Sequence, residues 1–405
     1  MAVKHRLRAE QLQVGAPLPA DVYDAENRLL LRRGNVIATA SQLQRLIDSG
    51  LYSTEALPMR AEAQKAKANE RDDPFVNGPL MRPSVSAAKP RRLSVYSELT
   101  QIAHTLEALL KAPETKENFV ADIWSMAQNV RQHCTTDADA ALAHIHFAAE
   151  VCYPVRQANN VAIVTALLLE RMKNDPVRSQ SAVCAALTMN ISICDLLQQL
   201  YQQQALNPEH QAALTQHPVT SARKLASIGV TDAVWLALVE QHHEFIDGTG
   251  YPNKLSGNAM AVEAQVIGLA DRYCSAVTER AYRLGVAPGV VMKQIREKSG
   301  TAINPKLISA LLYWVGIYPP GTVVELFNRD LAVVTRRLQD LKSPVVYAVA
   351  GDNHQPFVAP RRRSTGTQPQ FRIERVMPRE IIKFPVDPEI LWPRTSADSP
   401  LAVFS

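Results

Sequence analysis

The chain has 405 residues, 46% of them hydrophobic, and a formal net charge of +5 from 44 basic and 39 acidic side chains. That length allows two or three domains with a sizeable core, and the basic excess is too small and dispersed to argue for nucleic acid. No apolar run approaches the roughly 18 residues a membrane helix needs. The N-terminal MAVKHRLRAEQL lacks an apolar signal core, and the five cysteines (134, 152, 184, 194, 274) are odd in number without a CxxC pair. They read as reduced thiols, so a cytoplasmic location is expected.

In chain order, residues 1–56 read as a small α+β module. VGAPLPADVYDAENRLLLRRGNVIA suggests a hairpin turning at Glu26-Asn27, and TASQLQRLIDSG a capped helix stopped by Gly50. Residues 57–93 are charged and proline-rich, too poor in apolar groups to offset ordering entropy, and are expected to be a flexible linker. Residues 94–318 repeat apolar positions at three- and four-residue intervals, which predicts a helical bundle. Within it Asn207-Pro208-Glu209 is a helix start, with an asparagine cap and proline at the first helical position. Residues 319–358 change to period two and predict a short β-rich cap. The tail, 359–405, begins near Pro-Arg-Arg-Arg and is expected to be irregular. The fold class is therefore mainly α, with β-containing ends.

One stretch stands out chemically: HHEFIDGTGYP, residues 242–252. A histidine pair at a helix end is ordinarily a polar surface feature. Here Asp247-Gly248-Thr249-Gly250 must turn tightly, its glycines permitting positive φ and close backbone approach, and Tyr251-Pro252 fixes the exit. Further on, Asp271 places a carboxylate on an otherwise apolar helix, where an unpaired charge would be costly. His144 and His146 lie two apart on a helix and read as surface or packing residues. Cys184 and Cys194 read as core, and Glu244 and Asp247 as turn caps.

HHEFIDGTGYPNKLSG followed by LADRYCSAVTERAYR, with His217-Pro218 upstream, resembles the signature of HD-GYP domains, a branch of the HD phosphohydrolase superfamily associated with cyclic di-GMP hydrolysis. The likeness covers roughly residues 140–315 and implies a helical HD-GYP-like domain. Active members hold two or three metal ions. Matched to that pattern, Tyr153 stands at a glutamate position and Gln157 at a histidine position. Met189 and Asn190 replace the name-giving His-Asp pair, and Ser192 and Ile193 replace the glycine and lysine that follow. Cys274 stands where a second aspartate is common, and Gln265 where arginine is usual. His217, His242, His243 and Asp271 remain as metal-ligand candidates, enough for one residual divalent ion such as zinc. Asparagine cannot supply a bridging carboxylate, and a thioether is a soft ligand. The resemblance thus implies a bacterial signalling protein without catalytic residues and without a resident cofactor beyond that one ion. Its expected partners are cyclic di-GMP or signalling proteins, met through Asp247, Gly248, Gly250, Tyr251, Pro252, Arg280 and Tyr282. The alternative is a metal-dependent cyclic di-GMP phosphodiesterase with non-standard ligands.

Overall fold

The computed structural model describes residues 5–6, 22–23, 29–31, 52–53, 93–148, 150–203 and 206–394. They divide into two compact units, residues 1–91 and 92–405. The helix expected at TASQLQRLIDSG and nearly all of the linker expected at 57–93 lie outside the described residues. In the first unit β1 (His5–Arg6), β2 (Val22–Tyr23), β3 (Leu29–Leu31) and β4 (Tyr52–Ser53) form one sheet in the order β1-β4-β2-β3. β2 and β3 pair antiparallel across residues 24–28, where the sequence suggested a hairpin.

The second unit is a helical bundle carrying a sheet. Its helices are α1 (Val95–Leu110), α2 (Phe119–Thr136), α3 (Ala138–Phe147), α4 (Tyr153–Arg171), α5 (Pro176–Thr188), α6 (Cys194–Gln202), α7 (Pro208–Ser227), α8 (Ala233–Gln241), α9 (Val262–Val277), α10 (Pro288–Glu297) and α11 (Pro305–Val315). Local chemistry sets their starts. Asp137, Asp175, Asn207 and Asp232 each accept from backbone N–H groups in the first turn of α3, α5, α7 and α8, so those otherwise unpaired donors are satisfied. α4 is the central helix, buried from Tyr153 to Leu169. It packs against α1, α2, α3, α5, α6, α9 and α11, the environment that an almost unbroken run such as VAIVTALLL requires.

After α11, β5 (Val323–Leu326), β6 (Leu331–Arg336), β7 (Val345–Ala350), β8 (Pro356–Ser364) and β9 (Ile373–Met377) form an antiparallel sheet in the order β8-β7-β6-β5-β9. Strand alternation splits its residues. Val323, Leu331 and Val333 join the bundle core, whereas Val324, Leu326, Ala332, Val334, Val346 and Ala348 form a second core with Phe371 and Tyr318. Arg336 pairs with Asp137 and Arg337 with Asp139, tying β6 to the start of α3.

The expectation of an irregular tail from 359 fails for residues 359–394. Pro360 and Arg361–Arg363 belong to β8, an edge strand, where proline and charge are tolerated because one side of the ladder is unpaired. Beyond β9 the chain returns to the bundle through α12 (Pro388–Leu391) and Trp392. The Trp392 ring is fully buried, stacks on Tyr96 at 5.0 Å and donates from its indole N–H to Thr335 O at 3.2 Å. Proline spacing suggested disorder because the apolar anchors between the prolines follow neither helix nor strand periodicity.

Candidate metal centre

The histidines meet because of two backbone defects. Pro218 sits inside α7 and has no N–H, which frees the carbonyl of Leu214 four residues earlier. His217 fills that vacancy: its Nδ1 lies 2.7 Å from Leu214 O. α8 ends at Gln241, so its last carbonyls lack intrahelical partners, and His242 Nδ1 lies 2.6 Å from Val239 O. A carbonyl only accepts, so both Nδ1 atoms are donors and both Nε2 atoms carry lone pairs. Those two Nε2 atoms face each other at 3.1 Å. Neutral rings in these tautomers cannot hydrogen-bond there; a proton or a cation must lie between them.

Burial makes the proton unfavourable. It pushes His217 below the ordinary histidine range, and His242 and His243 well below it, with repulsion among the imidazoles adding to the effect at His242 and His243. One nitrogen from each of His217, His242 and His243 lies within 4.8 Å of the others, and theirs is the metal-capable cluster among the described residues. Neutral imidazoles are the ligand state that zinc-type ions select, and in His217 and His242 the other nitrogen is anchored to a carbonyl. The donor set therefore fits one such ion. It does not fit two, because no carboxylate belongs to the cluster.

Asp271 was expected to join this set and does not. Its Oδ1 accepts from Gln157 Nε2 at 2.8 Å, and the same amide reaches the Asp271 carbonyl at 3.1 Å. Gln157 thus orients the carboxylate through one of its two oxygens. Asp271 still acts on its surroundings through its charge, which favours protonated His217 and His242 and raises the Tyr251 phenol, itself pushed to about 12 mainly by burial. Tyr153 turns its hydroxyl to Arg280 Nη2 at 3.2 Å and stacks on Tyr201 at 5.2 Å. Met189 is fully buried in the main apolar core. Ser192 binds the hydroxyls of Thr220 and Ser221 at 3.0 and 2.8 Å, fastening the turn after α5 to α7. Tyr153 is thus a tyrosine contact, Gln157 an amide clamp, Met189 part of the core and Ser192 part of a turn.

The loop from 242 to 256 is built around Glu244. That side chain is buried and accepts from Asn253 N at 2.6 Å and Leu255 N at 3.0 Å, so one carboxylate closes the whole turn. Asp247 accepts from the backbone and hydroxyl of Thr249, at 3.0 and 2.6 Å. Gly250 is required sterically: a Cβ there would lie 2.4 Å from Glu244 Cα. Gly268 on α9 has the same role beneath His242, whose carbonyl would lie 2.4 Å from an added Cβ. Gly248 sits at φ +75°.

The residues expected to meet a partner do not share one surface. Tyr251 is half-buried and stacks on His243 at 4.8 Å, because the glycine turn folds it back over the histidines. Arg280 and Tyr282 pair with each other at 3.2 Å, and Arg280 reaches Ser275 and Tyr153 rather than the loop. The residues expected to serve recognition therefore fall in two clusters, and the Asp271 charge acts on Tyr153 near one and on Tyr251 in the other. Sequence reading missed the Tyr153–Arg280 contact, Gly268 and the role of Pro218. Of these, only the proline inside a helical pattern next to a histidine left a legible signal.

Residues 141–307 match the family model described as HD domain. The chain aligns with a cyclic di-GMP phosphodiesterase of Pseudomonas aeruginosa at 32% identity over 118 residues, 29% of this chain and 28% of the relative. A cyclic di-GMP phosphodiesterase of Borreliella burgdorferi, PdeB, aligns at 21% identity over 183 residues, 45% of this chain and 48% of the relative. The chain thus spans less than half the length of these curated relatives. Among solved structures, an HDG"Y"P protein from Bdellovibrio bacteriovorus superposes with a TM-score of 0.46 at 17% identity, covering 76% of this chain and 98% of that one. Among the described residues, no helix is long and apolar enough to cross a membrane.

Proposed function

We propose that this chain is a catalytically silent HD-GYP-type protein of bacterial cyclic di-GMP signalling, working by binding an intact nucleotide or a signalling protein. The reading rests on the ligand positions of α4 and the turn after α5, where Tyr153, Gln157, Met189 and Asn190 supply neither imidazole nor carboxylate. Two divalent ions about 4 Å apart repel by about 4 kcal/mol at the dielectric of water, and by about four times that near a protein surface. Anionic ligands offset that repulsion. Three neutral imidazoles and an amide-bound carboxylate do not, so a two-metal hydrolytic centre is not supported. A single ion on His217, His242 and His243 would cross-link α7 to the end of α8 and hold the loop beside it. The name of the P. aeruginosa relative supplies the nucleotide assignment.

A second reading, a metal-dependent phosphodiesterase with non-standard ligands, draws its support from the facing Nε2 lone pairs, which would favour metal uptake. Metal content and turnover separate the two. The silent reading expects at most one zinc-type ion per purified chain, lost in His217→Ala, and no hydrolysis of cyclic di-GMP in the presence of iron, manganese or zinc. It also expects Met189→His with Asn190→Asp to remain inactive while Gln157 and Tyr153 stand. Two ions per chain, together with turnover abolished by His242→Ala, would establish the enzyme instead.

A further inference from the structure

Arg272 on α9 is a charge beside the histidines that no oxygen of the described residues answers. Every other arginine sheltered from solvent among those residues hydrogen-bonds an oxygen, as Arg156 does on Glu279 at 2.7 Å and Arg336 on Asp137 at 2.8 Å. The Arg272 guanidinium instead lies 3.9 Å from the centre of the Phe245 ring. An aromatic face attracts the cation but leaves its five N–H donors unspent. Burial disfavours the charge, and Asp271 opposes that effect from a distance without forming an ion pair. Unlike Nε of Arg156 and of Arg280, no nitrogen of Arg272 is sealed from solvent. Its donors are therefore both unpaired and reachable.

Two further polar groups stand beside it. Tyr251 is half-buried, its hydroxyl has no hydrogen bond among the described residues and is likewise unsealed, and the Arg272 charge acts on it. His243, on which Tyr251 stacks, also feels that charge. Lys298 lies 5.6 Å from the centre of the same Phe245 ring, so a second cation adds to the field. The nearby carboxylates are engaged, Asp271 by Gln157 and the exposed Asp247 by Thr249. A guanidinium fork with a phenol O–H next to it offers several donors at one place, which suits a tetrahedral oxyanion, and partial shelter from water strengthens the pairing. We propose, building on the binding role given above, that Arg272 and Tyr251 form a subsite for a phosphate group, whether of the free ion, a mononucleotide or a cyclic dinucleotide.

The test uses the full chain, freed of metal by chelator and dialysis, with calorimetric titration and thermal unfolding in inorganic phosphate, GMP, cyclic di-GMP and acetate. At least one of the three phosphate probes should bind saturably and raise the unfolding midpoint, and acetate should bind about tenfold more weakly. Arg272→Gln should weaken phosphate binding at least about tenfold. It should leave the midpoint of the unliganded chain unchanged or higher, since it removes a sheltered charge without a partner. An arginine that merely supports Phe245 would lower that midpoint and spare affinity. Tyr251→Phe keeps the ring on His243 and should weaken binding about tenfold; if the glutamine variant does not fold, this one decides. No binding by any phosphate probe, acetate bound as tightly, or affinity unchanged in Arg272→Gln would overturn the subsite. Cyclic di-GMP binding that survives Arg272→Gln would leave the nucleotide reading standing without the subsite. Phosphate or GMP binding lost in that variant, with no binding of cyclic di-GMP, would leave the subsite standing without the nucleotide reading.

Discussion

The two halves of the histidine site have had different fates, and packing explains why. On one side, α7, the end of α8 and the following loop keep His217, His242 and His243 in ligand geometry. On the other, α4 and the turn after α5 present Tyr153, Gln157, Met189 and Asn190, none of them an imidazole or carboxylate. The first half is fixed by backbone: a proline that frees a carbonyl, a helix end, two glycines in steric contact and the Glu244 clamp. Changing any of these disturbs the fold. The second half consists of side chains on a packed helix and a turn, with Met189 fully buried in the core. Ligand-type side chains thus stand where backbone features hold them and are missing from the positions on α4 and the turn after α5.

Substitutions can break that comparison. The largest effect is expected from Gly250→Ala, whose Cβ would meet backbone rather than a flexible side chain. It should cost about 3–5 kcal/mol in urea unfolding, or release the loop to proteolysis. A loss below about 1 kcal/mol would show that the loop adapts and is not a rigid element. Met189→His, the change towards the family pattern, should come next. It places an imidazole in the apolar core and should cost about 2–3 kcal/mol without raising the zinc stoichiometry. A stable variant that takes up a second ion would show the halves to be equally plastic.

A dependence on pH is expected as well, milder for each group per pH unit than either substitution. Burial pushes His144 down to about 4 and His146 to about 3, so both bind protons more weakly folded than unfolded. The unfolded chain therefore holds more protons between those values and about 6.5. Their stabilising contribution is complete above about pH 6.5 and fades as the pH falls towards 4 and 3. The slope is no more than about 1.4 kcal/mol per pH unit for each group. Urea midpoints at several pH values from 7 to 4.5 measure it, and His144→Asn should flatten the curve. A midpoint that is constant or rises on acidification would contradict the burial of these two rings.

Legibility followed the same division. Helical periodicity and the Asn207-Pro208 start were readable because each depends on neighbours in sequence, and Asn207 does cap α7 through His210 N at 2.7 Å. The glycine turn was readable from residue type and spacing, whereas the histidine triad was implied by the family resemblance. The engagement of Asp271 was not, since it requires Gln157 from another helix. The segment ending at Trp392 was misread for a related reason: Trp392 is stabilised by Tyr96 and Thr335, far away in the chain, and no local pattern announces such contacts.

Pro218 has a consequence beyond shaping α7. Because its missing N–H leaves Leu214 O to His217, the helix itself decides which nitrogen of that ring is basic. With an ordinary residue in its place, the backbone would reclaim the carbonyl and the ring could take the other tautomer. It would then donate from Nε2 to His242, turning two opposed lone pairs into a contented hydrogen bond. The proline therefore keeps the interior locally frustrated. Relieving that frustration would be expected to make the fold more comfortable and the cluster deaf to cations, so that thermal endurance and metal appetite pull in opposite directions at a single residue.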